Sequence, residues 1–159
     1  EFVNVDLSYA NLENSILLNT KFVNVDLSYA NLEKSQCGKA VFLNSDLSFA
    51  NLKYLKCDDA NFNNSTFHNA DLTGGNLQSG DFLHTEMQNA ILENSFLYKS
   101  DFSFANLTLA NLKSTHLQSV NFTKTDLTLA EFDNAKFSLK ELGDAIFDNC
   151  VGFVKCTKE

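Results

Sequence analysis

From Phe2 to Phe147 every fifth residue is large and apolar, and the register never slips. The thirty positions hold sixteen Leu, eleven Phe, two Cys and one Met. A period of five fits neither a helix at 3.6 residues nor a strand at 2. It marks a structural repeat. A second signal sits two residues before each large one: of the twenty-nine positions from Val5 to Ala145, twenty-four are Ala, Ser, Thr or Gly. Residues two apart on an extended segment point the same way. Each unit is therefore expected to send one large and one small side chain inward and to leave three facing out.

The pattern repeats at a longer period too. Residues 2–13, FVNVDLSYANLE, recur unchanged at 22–33, and Phe2, Phe22, Phe42, Phe62, Phe82, Phe102 and Phe122 step by twenty. Twenty residues are four units, which predicts a four-sided coil stacked on the next at about 4.8 Å, the strand spacing. About seven and a half coils would make a rod on the order of 35 Å long. The inward columns begin at Phe2, Leu7, Leu12 and Leu17.

The units ADLTG, ANLEN, SDLSF and ANFNN resemble the A-(D/N)-L-x-x unit of the pentapeptide-repeat family. Fifteen of the thirty positions before the large residue are Asp or Asn, as that unit expects. The resemblance covers residues 1–150 and implies an all-β fold, a right-handed quadrilateral parallel β-helix. Right-handedness agrees with the rule for parallel crossovers. Residues 151–159 are expected to form a short C-terminal cap or tail.

Composition narrows the function. The net charge is −8, with twelve Lys and no Arg. Nucleic-acid backbones attract basic proteins, so direct nucleic-acid binding is not expected. Twenty Asn and the missing Arg suggest a low-GC bacterial source. No apolar run approaches the length of a membrane span, and no signal peptide is visible. The chain opens directly on an inward Phe2 without the cap a first coil usually carries. A preceding portion is expected, the alternative being a chain trimmed to its ordered part.

Catalytic signatures are missing. His68, His84 and His116 share no column and form no ligand spacing, so surface positions are expected. No G-x-S-x-G elbow occurs. Gly74 and Gly75 read as a coil corner where Gly relieves φ strain. Cys37 and Cys57 occupy Leu positions one coil apart and read as two buried thiols. Their stacking also permits a bridge. Neither enzyme activity nor a cofactor or metal is expected.

What remains is surface. One outward column is acidic: Asp6, Asp26 and Asp46, then Glu86 and Asp126. Stacked like charges oppose each other, unless these residues serve to hydrogen-bond the turn backbone. A second column is apolar: Tyr9, Tyr29 and Phe49, later Leu109 and Leu129. A third runs through Val3, Val23, Leu43 and Leu83. Such rows either stabilise a corner by stacking or mark a binding patch. The first three coils carry all three, so a partner surface is expected at Val3, Asp6, Tyr9, Val23, Asp26, Tyr29, Leu43, Asp46 and Phe49.

Near the C-terminus Lys140 falls on an inward position, costly to bury, and Ser138 to Glu141 read as a capping box. A bulge or helical turn is expected over residues 138–144. Ala145 and Phe147 should resume the register and Gly152 end it, with Val151 and Phe153 as lid candidates.

Three functions follow. The first is a non-catalytic scaffold that binds a protein partner; the family resemblance implies modules of larger bacterial proteins, either cytoplasmic or secreted as part of effectors. The second is a DNA mimic that binds a type II topoisomerase, as in relatives that protect gyrase from quinolones. Those relatives look like end-to-end dimers, an arrangement the resemblance implies here too; they also carry projecting loops, and the unbroken register leaves no room for a long loop before residue 138. The third is a purely structural element.

Overall fold

The computed structural model describes residues 1–137 and 144–152. Three short strands open it, β1 (Phe2–Val3), β2 (Lys21–Val23) and β3 (Val41–Leu43), paired in parallel in the order β1-β2-β3. Phe2 pairs with Phe22, and Phe22 with Phe42. Beyond them single parallel bridges continue, each joining residues twenty apart, from Asp6 with Asp26 to Glu131 with Val151. The bridges form four ladders, passing through Lys21, Asp26, Asn31 and Gln36. No helix occurs among the described residues. The chain is a β-helix of repeats.

The extended stretches are short because each unit contains a turn. Ala10 N–H donates to the Leu7 carbonyl at 3.0 Å, and Tyr9 between them takes a φ of +59°. A left-handed third residue is the mark of a type II turn. Among the described residues the conformation occurs at twenty-seven non-glycine positions, eleven of them Asn, the side chain that tolerates it best. At Gly74, φ +68°, glycine is needed twice over, since an added Cβ would lie 2.7 Å from the Tyr54 ring.

The Asp or Asn before each large residue holds the turn. Asp6 Oδ1 accepts the Ser8 N–H at 2.9 Å. The same two-residue reach occurs at fourteen of the fifteen Asp/Asn positions. Asp81 is the exception; there the Leu83 N–H turns to Asn63 Oδ1 at 2.8 Å.

The core is a set of stacks. Rings of the Phe column lie 4.5–5.8 Å apart from Phe2 to Phe122. Leu52 and Leu72 are 1% and 0% exposed. Small inward hydroxyls reach backbone carbonyls, as in Thr85 to Phe82 at 2.8 Å and Ser100 to Leu77 at 2.9 Å. This satisfies polar groups whose burial unpaired would be costly; the Ser35 and Ser95 hydroxyls, equally buried, have no such partner. Leu7, Leu12 and Leu17 are only partly buried.

Cys37 and Cys57 are fully buried one above the other, with Cα atoms 4.4 Å apart, a separation that suits the bridge the sequence permits. Volume is exchanged in the same turn: Leu55 fills a small position where Cys57 vacates a large one, as close packing requires.

The register resumes as expected near the end, with Ile146 bridged to Asp126 and Ala145 and Phe147 against the core. Val151 is not a lid. Its backbone bonds to Phe132 and Ala130 at 2.8 and 2.9 Å continue a ladder, and that outward position leaves it 50% exposed. Of the bulge expected at 138–144 only Asp144 is described, in a turn. Lys140 and Phe153 lie outside the described residues.

Candidate protein-interaction surface

The β-helix places the nine surface residues in three neighbouring columns, in register over three turns. Val3, Val23 and Leu43 follow the Phe column on β1, β2 and β3. Asp6, Asp26 and Asp46 form the next ladder. Tyr9, Tyr29 and Phe49 stand at the corner after it, their rings face to face at 4.9 and 4.8 Å and within 4° of parallel. Tyr9 is 73% exposed and Tyr29 and Phe49 are each 48% exposed. Val23, Leu43 and Asp46 are half-buried.

The acidic column has a structural role as well as a charge. One oxygen each of Asp6, Asp26 and Asp46 is taken by the turn N–H of Ser8, Ser28 and Ser48. That explains an Asp or Asn here, but not why all three are Asp. The Ser8 hydroxyl and amide hold the Asp6 carboxyl below its ordinary range.

The aromatic corner needs a separate account. A left-handed conformation costs an ordinary side chain about 1–2 kcal/mol. Stacking with a neighbour returns about 0.5–1.5 kcal/mol. Three such residues share two stacks, so the strain is not fully repaid, and Asn, found at Asn69 and Asn89 in the same column, would sit there with less strain. Stability alone does not explain three ring-bearing residues in succession.

Charge is distributed unevenly around the rod. Among the described residues, the first ten positions of each twenty carry ten carboxylates and two Lys, Lys21 and Lys124; the last ten carry eight carboxylates and seven Lys. The side-chain charge is thus −8 on one half of every turn and −1 on the other. Lys34, Lys39, Lys53, Lys56, Lys99, Lys113 and Lys136 all fall on the second half, where several are paired. Lys53 meets Asp71 at 3.0 Å and Lys113 meets Glu131 at 2.6 Å. The three columns lie wholly on the acidic half.

Other surface features were not anticipated. Phe96, 42% exposed, faces His116 at 4.8 Å. His84 stacks on Phe104 at 4.9 Å, and Lys124 Nζ lies 5.2 Å from that ring. Ile16 is 72% exposed. The signal was available in the twenty-residue step, which puts Phe96 beside His116 and Phe104 between His84 and Lys124. Of the three His, only His84 is exposed; His68 and His116 are half-buried. Among the described residues no group of His, Cys, Asp or Glu is arranged to hold a metal, and no pocket is present.

The paired charges predict a pH profile. Burial raises the Asp71 carboxyl, but bonds from the Thr73 hydroxyl and amide and from Lys53 outweigh it and set it low. Lys34 and Asn51 lower Glu33. A carboxylate lowered in the folded state stabilises above its unfolded value and loses that contribution as pH falls through its folded one. Lys34, Lys53 and Lys113 are raised by Glu33, Asp71 and Glu131 respectively, so their contribution fades as pH rises past the lysine range. Thermal melts should show a plateau between roughly pH 5 and pH 10 with loss on both sides. A midpoint still rising as pH drops below about 4 would contradict these pairings.

The profile described as pentapeptide repeats matches in eight copies, over residues 1–36, 45–82, 67–103 and 105–139. HetL, a pentapeptide repeat protein involved in heterocyst differentiation regulation from the cyanobacterium Nostoc, is similar in structure. It has a TM-score of 0.63 at 16% identity, over 94% of this chain and 85% of that one. QnrB1, a plasmid-mediated fluoroquinolone resistance protein, gives 0.64 at 20% identity, over 94% of this chain and 79% of that one. No curated protein matches the chain significantly. At these identities the likeness speaks to the fold.

Proposed function

The chain belongs to the pentapeptide-repeat family, and from that premise we propose that it is a non-catalytic protein-interaction module. We assign it a right-handed, four-sided winding of about seven and a half turns, as the crossover rule favours. The observation that carries the functional reading is the exposed stack of Tyr9, Tyr29 and Phe49, held at strained positions with little net stability in return. Exposed apolar rows beside charge are the ordinary material of a binding patch.

The uneven charge favours this reading over a DNA mimic. Duplex DNA carries one charge per about 1.7 Å of axis, all around. A column at the strand spacing of about 4.8 Å reaches roughly a third of that density even when unbroken, and here nearly all of the net charge lies on one half.

Replacing Tyr29 and Phe49 by Ser together should abolish capture of the partner protein while leaving the circular dichroism spectrum unchanged. Unchanged capture by the double variant would exclude this surface.

A further inference from the structure

Resting on the module reading, we propose that the acidic half of the first three turns receives an amphipathic basic helix of a partner protein, laid along the rod axis. Its Lys and Arg would meet Asp6, Asp26 and Asp46, and its apolar borders would pack on Tyr29 and Phe49 to one side and Val23 and Leu43 to the other.

Three observations lead there. The first is charge. Asp6, Asp26 and Asp46 each give one carboxylate oxygen to a turn amide, which leaves the other for a partner. Cations on this half are scarce, Lys21 and Lys124 being the two among the described residues. The second is composition. The carboxylates are bordered by an apolar column on each side, so a purely cationic chain would leave both borders unsatisfied.

The third is spacing. The ring stack measures the display interval directly, 4.9 and 4.8 Å, or about 9.7 Å over three turns. Two turns of an α-helix advance about 10.8 Å, a mismatch near 1 Å that flexible Lys and Arg stems absorb. Four residues of an extended strand advance about 13.4 Å, nearly 4 Å too far. A helix laid lengthwise can thus address three successive turns; a strand in the same direction cannot.

The test uses the whole protein, labelled with nitrogen-15, and a synthetic helical peptide of roughly 18 residues, about 27 Å long. The peptide carries one Lys stripe bordered by Leu on both sides. Amide shifts should be confined to residues 3–9, 23–29 and 43–49, and binding should weaken with salt. The triple variant Asp6→Asn, Asp26→Asn, Asp46→Asn should bind about tenfold more weakly or worse. Asn keeps the turn bond, as Asn11 and Asn31 do here, so the fold is retained.

Equal binding by a scrambled peptide of the same composition, shifts spread over the Lys-rich half, or an unaffected triple variant would each overturn the proposal. If the Tyr29 and Phe49 double variant loses its captured partner while the wild-type protein ignores the helical peptide, the module reading stands and the basic-helix inference falls.

Discussion

Replacing Leu72 by Ala is expected to destabilise the protein by about 2–5 kcal/mol, measured by denaturant unfolding. Leu72 is fully buried in the middle of its column, with Leu52 and Leu92 one turn to either side and equally enclosed. Truncation removes transfer energy and leaves a cavity. The walls are poorly able to close it, because each neighbouring turn is fixed by cross-turn bonds such as Leu72 N–H to the Ile91 carbonyl at 2.7 Å. Leu12, only partly buried, should cost less when truncated the same way. A loss under about 0.5 kcal/mol at Leu72, the level of a surface substitution, would contradict its inward placement.

A still larger contrast is expected between two deletions. Removing residues 62–81 takes out twenty residues, one full period of the bridges. Phe82 then stacks on Phe42, every column stays in phase, and a folded rod one turn shorter should result, as repeat arrays with nearest-neighbour coupling allow. Its circular dichroism per residue should match the parent. Removing residues 62–80 takes out one residue fewer. Asp81 then falls on the inward position and Phe82 faces water, and each later turn inherits the fault, because a shift of one residue exchanges the two faces of a strand. Burying unpaired carboxylates in succession exceeds the roughly 5–15 kcal/mol that holds a domain together. Cooperative unfolding of the part beyond residue 81 should vanish. Similar melts for both variants would mean that a local bulge absorbs the slip and that the twenty-residue register is not what holds the rod together.

The fold was legible because one spacing carried it. Leu52 and Phe62, placed inward on the period alone, are each 1% exposed. The surface was less so. The pattern marks three of every five residues as outward but is silent on what they do there. The bond from Asp6 to the Ser8 amide follows from turn chemistry and was within reach. The gathering of seven Lys on one half of the turn emerges only when residues are sorted by position within the twenty. Scanned in chain order, Lys34, Lys53 and Lys99 look dispersed. The Phe104 and Lys124 contact was hidden for the same reason. Val151 misled because its apolar side chain near the end suggested a cover, whereas its backbone was still needed as the partner of Glu131.

The cross-turn hydrogen bonds of this chain join each turn to the next, and each turn touches only its two neighbours. A force pulling the first and last turns apart would therefore load the turns in series, with a single turn's bonds bearing the whole tension. Such a rod yields by unwinding one turn after another at its weaker end, and each release lengthens it by twenty residues, save where a Cys37–Cys57 bridge ties two turns together.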